Sequence, residues 1–286
     1  MSKKYNSPNI LIIALTALTA MLPFSACSSN NEPQPVPDIV NGLNVDKLME
    51  VKTNPSMDEM IVEYEGFIVS FNPTMHLPNW VAWTVTRDKM NRSNLSRVDN
   101  FRPDDRVPGC ATLEDYRYSG YDRGHMAPSG DMRWSEEAMD NACYLTNICP
   151  QLNELNNGAW KNLEEKCRKN ATRDGTLIVI CGPVLTEGFK KTIGKTPVPV
   201  PPSYFKVILT PGGSGNTGTP SAIGFLMPND YVEGGMQKAA VSVDEIERLT
   251  GHDFFAELPD NIEAEAESAL DFNHFSTGRI SRRSRK

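Results

Sequence analysis

Short apolar runs, each bounded by glycine or proline, recur along the middle of the chain. The first three cover Ile61–Tyr64, Phe67–Asn72 and Trp80–Thr86. Runs of this length between turn residues predict β-strands, and their close succession predicts an antiparallel sheet. Further strands are predicted over 142–148, 176–183, 204–209 and 222–227.

Three other segments have the pattern of helices. Ser242 and Glu245 form a capping box that opens a short helix ending at Gly251, and residues 262–270 form an acidic helix. Over 153–171, apolar residues return at helical spacing, as in a helix packed on a core. These residues are Leu155, Ala159, Trp160, Leu163 and Cys167. The pattern predicts one α+β domain, with a central antiparallel sheet and helices packed on it.

The first 26 residues have the features of an export signal. Lys3 and Lys4 precede an apolar run over 10–22, and small residues stand directly before Cys27. The run is too short, and its flanks too asymmetric, for a membrane span. The ending LPFSAC resembles a bacterial lipobox, which predicts that Cys27 is lipidated and becomes the mature N-terminus. An ordinary secretory signal cut near Ala26 is the alternative.

The remainder divides by composition into three parts. The segment SSNNEPQPVP after Cys27 is polar and proline-rich. Because such a segment has nothing to bury, we predict a flexible tether over residues 27–50. A globular domain is expected over 51–275, and a basic disordered tail over 276–286. The predicted protein is exported and touches a membrane only through its lipid anchor.

The charge balance restricts the kinds of partner. The chain has 29 basic and 36 acidic residues, a formal net charge of −7. Removing residues 1–26 removes Lys3 and Lys4, which leaves 27 basic against 36 acidic residues, a net charge of −9. Such a body does not attract polyanions as a whole, so a nucleic-acid site must be a local basic patch. The balance argues against a high-affinity, non-catalytic DNA-coating protein.

Five cysteines follow Cys27, at positions 110, 143, 149, 167 and 181. Export permits disulfides, but the odd number leaves one thiol free or paired between chains, so a covalent dimer is possible. The sequence has no CxxC pair and no Cys/His cluster with zinc-ligand spacing. We predict mostly buried apolar side chains, with room for one or two bridges whose pairing the sequence leaves open.

Candidate chemistry concentrates in YDRGHMAPS, residues 121–129, and in the predicted helix after it. The first stretch places the imidazole of His125 behind an acid, a guanidinium and a flexible glycine. The helix carries Asn156, Glu164 and Arg168, whose offsets of eight and twelve residues return to nearly the same face. One base, one neutral oxygen ligand, one carboxylate and several arginines suggest phosphodiester hydrolysis assisted by a hard metal ion.

Each of these residues also has a purely structural interpretation. A histidine in a glycine-containing turn is often a surface residue, and Asn156 stands where a helix cap is expected. Glu164 and Arg168 can form a solvent-facing ion pair worth about 0.3 to 0.5 kcal/mol. The arginines of the polar segment over 87–108 can be solvated instead of binding phosphate. Only the combination of residues favours catalysis.

The combination resembles the DNA/RNA non-specific endonuclease family. The matching residues are DRGH at 122–125 followed by MAP, the segment TNICPQ at 146–151, and Asn156, Trp160 and Leu163-Glu164. The resemblance covers about residues 64–255. It implies the ββα-metal (His-Me finger) nuclease fold, in which two strands and a helix present the site.

The resemblance also implies roles for the central residues and a cofactor. His125 matches the general base, Asn156 the direct Mg²⁺ ligand, and Glu164 the residue that holds a metal-bound water. The implied cofactor is Mg²⁺, with Mn²⁺ as a substitute, and the implied substrates are DNA and RNA.

Three arginines complete the predicted site. Arg97 and Arg168 match family arginines that stabilise or contact the phosphate, with Arg92 and Arg102 as alternatives to Arg97. Arg123 lies inside the motif, where it either touches substrate or supports the loop.

The leading hypothesis is therefore a secreted, lipid-anchored, Mg²⁺-dependent nuclease with little sequence preference. The alternative is a non-catalytic, nucleic-acid-binding surface lipoprotein that uses the same patch. A metalloprotease ranks below both, since the chain lacks an HExxH motif.

Overall fold

The structure is a computed structural model that describes residues 39–279, apart from Ser214 and Asn216. The predicted export signal, the lipidation of Cys27, the first part of the tether and residues 280–286 of the tail lie outside the described residues.

The strands of the described residues are between two and ten residues long. They are β1 (Ile39–Val40), β2 (Leu43–Asn44), β3 (Met60–Tyr64), β4 (Phe67–Asn72), β5 (Leu77–Thr86), β6 (Asp122–His125), β7 (Ile148–Gln151), β8 (Thr176–Pro183), β9 (Thr192–Ile193), β10 (Val198–Pro199), β11 (Ser203–Thr210), β12 (Ser221–Pro228) and β13 (Ala240–Val241).

In chain order, the first five helices of the described residues lie between strands, and the last three follow the final strand. They are α1 (Arg87–Arg92), α2 (Leu113–Tyr116), α3 (Glu136–Asn141), α4 (Lys161–Asp174), α5 (Gly235–Ala239), α6 (Val243–Thr250), α7 (Asp260–Ser268) and α8 (Phe272–Thr277). A π-helical turn, Leu155–Trp160, leads directly into α4.

A seven-stranded sheet forms the centre of the domain, in the order β13-β12-β11-β8-β5-β4-β3. Every neighbouring pair in this sheet is antiparallel. Strands β6 and β7 form a separate antiparallel pair. The prediction of an α+β domain with a central antiparallel sheet and helices packed on it is confirmed.

The central strands are apolar on both faces because each face packs against its own core. In β8, Leu177 and Val179 belong to one core, and Ile178 and Ile180 to the other. Successive side chains of a strand point to opposite faces, so a continuous apolar run marks a strand covered on both sides. This double burial is why the strands could be predicted from short apolar runs.

The two cores support different parts of the chain. The front core includes Trp83 of β5, Met126 after β6, and Trp160 and Leu163 at the start of α4. The rear core includes Trp80 and Phe205 from the sheet, together with Val243 and Ile246 of α6 and Ala266 of α7. The strand pair β6–β7 and helix α4 therefore lie on the opposite face of the sheet from α6 and α7.

Most predicted elements are confirmed with small changes of boundary. The predicted N-cap is confirmed, since Ser242 Oγ accepts a hydrogen bond from the Glu245 backbone N–H, 3.2 Å away, although the return bond of a full capping box is not among the hydrogen bonds of the described residues. Helix α6 ends at Gly251, whose φ of 74° is the left-handed conformation that glycine adopts easily. The acidic helix, α7, begins and ends two residues earlier than predicted.

Two predicted elements are wrong in detail. The strand predicted over 142–148 is instead a turn followed by a 3₁₀ turn over 145–147, and β7 begins only at Ile148. The helix predicted over 153–171 is interrupted at Gly158, where φ is −102° and ψ is −116°. Asn156 therefore lies on a turn before α4 and not on the same regular helix as Glu164 and Arg168.

The tether predicted to extend to residue 50 is too long. Residues 39–50 form β1, β2 and a 3₁₀ turn over 47–49, and they belong to the domain. Val45 and Leu48 are buried in the rear core. Burying two aliphatic side chains stabilises the segment by about 3 to 6 kcal/mol before the loss of chain entropy. At the other end, α8 continues to Thr277, so the tail predicted from residue 276 begins too early.

All five cysteines of the described residues are free thiols, and no disulfide joins them. Those at 143, 149, 167 and 181 are buried, as predicted, while Cys110 is partly exposed. A covalent dimer stays a prediction. Over the described ranges, no helix has both the length and the apolarity needed to cross a bilayer.

Candidate active site

Strands β6 and β7 bring the DRGH motif next to the segment TNICPQ. His125 pairs with Ile148, and Gly124 with Cys149. A Cβ atom at Gly124 would lie 2.1 Å from Oε1 of Gln151, so a side chain cannot fit there. Gly124 is thus required for the close packing of the buried Gln151 side chain against β6, next to His125.

The segment after His125 is fixed by a buried amide that sequence reasoning missed. Asn147 Oδ1 accepts a hydrogen bond from the Ala127 N–H (2.8 Å). Its Nδ2 donates to the carbonyls of Ala127 (2.9 Å) and Ala142 (3.0 Å). Because Asn147 is fully buried and bonded through both ends of its amide, it rigidly joins the two motif strands.

Two contacts hold the imidazole of His125, and a third holds its backbone. Its Nε2 lies 3.1 Å from Ser129 Oγ, and its ring centre lies 5.2 Å from that of Phe101. Its backbone carbonyl accepts a hydrogen bond from Trp160 Nε1 (3.2 Å). Burial, with a smaller contribution from the positive charge of Arg97, lowers the pKa of His125 to about 4. The ring is therefore neutral near pH 7 and able to accept a proton.

Asn156 is oriented by Asp122, the first residue of the motif. The Asp122 carboxylate accepts hydrogen bonds from Nδ2 of Asn153 (2.9 Å), Asn156 (3.0 Å) and Asn157 (3.5 Å). An ionised carboxylate only accepts hydrogen bonds, so it fixes which end of each amide faces it. The nitrogen of Asn156 faces Asp122, which makes the amide oxygen the atom available to a metal ion.

Arg168 is held in place by Asp131, a second residue that sequence reasoning missed. Arg168 Nη1 donates to Asp131 Oδ1 (2.8 Å), and Trp83 Nε1 donates to Asp131 Oδ2 (2.9 Å). Asp131 is only 1% exposed, so its charge needs both donors. Asp131 thereby links Arg168 of α4 to Trp83 of β5 and orients the guanidinium.

Glu164 lies one helical turn before Arg168 in a largely desolvated position. Burial raises the pKa of Glu164 to about 7, while the positive charges of Lys206 and Arg168 oppose the rise. Lys206 is fully buried on β11, with Nζ 4.1 Å from the ring centre of Trp160 and 5.3 Å from that of Trp83. Its Nζ has no hydrogen-bond partner in the described part of the chain. Aromatic faces and the nearby carboxylate are thus what stabilise this ammonium.

All six predicted site residues border one cavity of about 560 Å³. His125, Asn156, Glu164, Arg97, Arg123 and Arg168 line it, and Arg133 and Lys161 add two cations that the sequence analysis missed. Five basic side chains thus surround the carboxylate of Glu164. The cavity is the local basic patch that the acidic composition required.

The loop arginines differ in their suitability for phosphate. Arg97 is 62% exposed at its side chain and forms an ion pair with Asp99 (3.0 Å) at the cavity. Arg102, one alternative, is bound to Asp140 and stacked on Tyr144, and Arg92 pairs with Asp88. Neither alternative lines the cavity, so the structure favours Arg97. Arg123 lines it as well, with its guanidinium 4.3 Å from the ring centre of Phe101.

The donor set of the cavity suits a hard, strongly hydrated cation. Asn156 offers an amide oxygen oriented by Asp122, and Glu164 offers a carboxylate close enough to border the same space. Mg²⁺ keeps several waters and uses few protein ligands, so this sparse set of oxygen atoms fits it. Histidine and cysteine ligands typical of zinc are not combined here, since the cysteines of the described residues lie outside the cavity lining.

Comparison with known proteins agrees with this geometry. Residues 44–261 match the family model described as DNA/RNA non-specific endonuclease. The chain is 36% identical over 228 residues to a protein named Nuclease from a Nostoc species, covering 77% of this chain and 81% of that relative. It is 33% identical over 210 residues to mitochondrial Nuclease 1 of Schizosaccharomyces pombe, covering 68% of this chain and 65% of that relative.

Two further comparisons concern endonuclease G. Human mitochondrial Endonuclease G is 34% identical over 201 residues, covering 65% of this chain and 66% of that relative. A chain in the crystal structure of the EndoG/EndoGI complex superposes with a TM-score of 0.63 and 25% identity, covering 71% of this chain and 88% of that one. The ββα-metal fold predicted from the sequence is confirmed.

Replacing Lys206 by methionine should make stability more sensitive to alkaline pH. Glu164 has a folded pKa of about 7, above its ordinary value of 4.5, so metal-free wild type loses stability as pH rises between these values. Without Lys206 the folded pKa of Glu164 rises further, and the loss continues above pH 7. We expect an added loss on the order of 1 kcal/mol between pH 6 and pH 9, measured by urea unfolding in EDTA.

The matched control is Lys161→Met, which removes an exposed cation from the lining of the same cavity. That variant should keep the pH dependence of wild type. Equal pH dependence of Lys206→Met and wild type would show that Lys206 does not act on Glu164.

Proposed function

The chain belongs to the DNA/RNA non-specific endonuclease family, and we propose that it is an exported, Mg²⁺-dependent nuclease that hydrolyses phosphodiester bonds of DNA and RNA. The observation that carries the proposal is that His125 and Asn156 border the same basic cavity. A neutral base and an oriented metal ligand facing one space are the minimum that metal-assisted hydrolysis requires.

His125 is proposed to act as the general base. Its neutral imidazole takes a proton from the attacking water, and the contact with Ser129 keeps the ring oriented while it does so. Phe101, itself buried, covers one side of the imidazole. A ring that is neutral at working pH and fixed in orientation lowers the barrier to proton removal without prior rearrangement.

The positive charge needed at the phosphate is proposed to come from two sources. Asn156 would hold the Mg²⁺ ion and Glu164 one of its waters, and the bound ion would stabilise negative charge on the leaving oxygen. Arg97, Arg123 and Arg168 would donate to phosphate oxygens. Arg168 is already oriented by Asp131, so it need not lose much side-chain entropy on binding.

Low sequence preference is part of the proposal. The cavity offers guanidinium and amide groups suited to phosphate and sugar, which carry no sequence information. Cleavage of both DNA and RNA follows if contacts are made mainly to the backbone common to both.

The location of the enzyme is proposed from the first 27 residues alone. A basic start, an apolar run and a lipobox-like ending support export and lipidation of Cys27. The polar segment after Cys27, shorter than first predicted, would connect the lipid to a domain that begins near residue 39.

His125→Ala should reduce nuclease activity by about 10²- to 10⁴-fold, because proton removal then falls to water. The measurement is digestion of plasmid DNA and single-stranded RNA by the mature protein in Mg²⁺, with EDTA as the metal-free reference. Thermal unfolding should stay close to that of wild type.

His76→Ala is the matched control, since His76 is a histidine outside the cavity lining, and it should keep activity. Full activity of His125→Ala would refute the assigned base. Wild-type protein that binds oligonucleotides yet cleaves none in Mg²⁺ or Mn²⁺ would instead support the alternative of a non-catalytic binding lipoprotein.

Asp122→Ala should weaken the metal site, because the amide of Asn156 then loses the acceptor that orients it. Loss of a residue that orients a metal ligand typically costs 10- to 100-fold in affinity. We expect the Mg²⁺ concentration for half-maximal activity to rise by about that factor, with activity largely recovered at high Mg²⁺. Asp105→Ala, which removes an exposed carboxylate elsewhere, should leave the metal titration unchanged.

Cys27→Ser should release the protein from the membrane, because the predicted acceptor of the lipid is removed. After expression of the full chain in a bacterial host, fractionation should find wild type with the membranes and the variant in the soluble fraction. Cys110→Ser should fractionate like wild type. A Cys27→Ser protein that still sediments with the membranes would exclude this anchor.

A further inference from the structure

A group of three carboxylates lies on the rear side of the sheet, away from the active-site cavity. Asp244 and Glu247 belong to α6, and Glu267 belongs to α7. One oxygen from each carboxylate lies within 4.8 Å of the other two. Helices α6 and α7 pack on the rear core, whereas His125 and α4 lie over the front core. The group therefore has no part in the site already described.

Glu267 is the unusual member of the group. It is only 5% exposed, and its Oε1 is buried with no hydrogen-bond partner among the described residues. A buried carboxylate without a donor is costly, and two carboxylates beside it increase the cost. The position of Glu267 therefore indicates a missing positive partner.

The protein side chains around the group do not supply that partner. The ion pairs of the described residues do not involve Asp244, Glu247 or Glu267. Lys52, whose charge acts on the neighbouring Glu263, pairs with Asp253 (2.8 Å). Asp253 and Glu263 add further negative charge near Glu267. Glu247 Oε1 accepts a hydrogen bond from the Phe254 backbone N–H, which is a neutral donor and not a cation.

We propose that Asp244, Glu247 and Glu267 bind a divalent cation, Ca²⁺ in preference to Mg²⁺, at a structural site joining α6 to α7. Calcium binds oxygen ligands at about 2.4 Å and tolerates irregular sets of carboxylates, so oxygens up to about 4.8 Å apart can share one ion. Magnesium has shorter bonds and demands a nearly regular octahedron. The exposure of Asp244 leaves room for water to complete the coordination.

A proton is the competing partner for Glu267. Burial, aided by the charge of Glu247, raises the pKa of Glu267 to about 9. In the absence of a cation the group is therefore protonated near pH 7. Bound Ca²⁺ would displace this proton and link the two helices through three bonds, so the two possibilities differ in how stability responds to calcium.

The test is thermal unfolding of the full chain after EDTA treatment, with and without 1 mM Ca²⁺ at pH 7.5. If the ion binds well below this concentration, the unfolding temperature of wild type should rise by about 5 °C. Glu267→Gln should abolish the rise. The same variant should unfold at or above the wild-type temperature in EDTA, because it replaces a buried acid by a neutral amide, and this result would also show that it folds.

Two further variants separate this site from the cavity and from general charge. Glu265→Gln removes an exposed carboxylate of the same helix and should keep the calcium response. Asn156→Ala removes the proposed ligand in the cavity and should keep it too. Nuclease activity of Glu267→Gln in Mg²⁺ should match wild type, so the proposal and the proposed function can fail separately.

Three results would overturn the proposal. The first is an unfolding temperature of wild type that does not rise with calcium, which would leave the proton as the partner of Glu267. The second is a rise that Glu267→Gln retains. The third is a rise that Asn156→Ala loses, which would place the calcium in the cavity.

Discussion

Compensation of charge inside the layer between the sheet and helix α4 is the constraint on which the site depends. Asp131, Glu164, Arg168 and Lys206 all lie in or beside this largely desolvated layer, where burial raises the pKa of Glu164 and the positive charges of Lys206 and Arg168 oppose the rise. Asp131 binds both α4 and strand β5, while Lys206 stands between two tryptophan rings. The packing that orients Arg168 toward the cavity is therefore the same packing that places acidic and basic side chains beside one another.

The doubly covered sheet separates chemistry from support. The front core supports β6 and α4, which carry Arg123, His125, Glu164 and Arg168 of the cavity lining, while Arg97 and Asn156 reach the cavity from a loop and from the turn before α4. The rear core receives residues 39–50 and helices α6 and α7. Because both faces of the central strands are apolar, these strands have no solvent-exposed face where a substitution would cost little stability. The cavity residues are consequently held on a scaffold that changes little when the surface loops change.

The sequence was most informative where a local signal matched the tertiary environment. The central strands were predictable because they are short apolar runs buried on both faces, and α6 because Ser242 and Gly251 mark its ends. The break at Gly158 was not predictable, since the apolar spacing continues across it from Leu155 to Leu163. The site residues could be identified by their motifs. The roles of Asn147, Asp131 and Lys206 could not be identified, although Asn147 lies inside the motif TNICPQ, because these roles come from burial and from partners distant in sequence. Residues 39–50 were misassigned for the same reason, as only the folded sheet provides the surface that Val45 and Leu48 cover.

The contrast between an acidic body and a basic cavity limits how the enzyme can bind its substrate. Electrostatic attraction must arise within about one Debye length of the cavity, since the net charge of −7 repels a polyanion from farther away. Five cavity cations around one carboxylate can neutralise only a few phosphates, so affinity depends on few contacts and the salt dependence of binding is modest. Weak substrate binding suits a nuclease, because the enzyme must release its products before it can cleave another bond. In the proposed mechanism, binding energy would be concentrated at the phosphate being cleaved, where Arg168, oriented by Asp131, and the ion held by Asn156 would act on the transition state more than on the ground state.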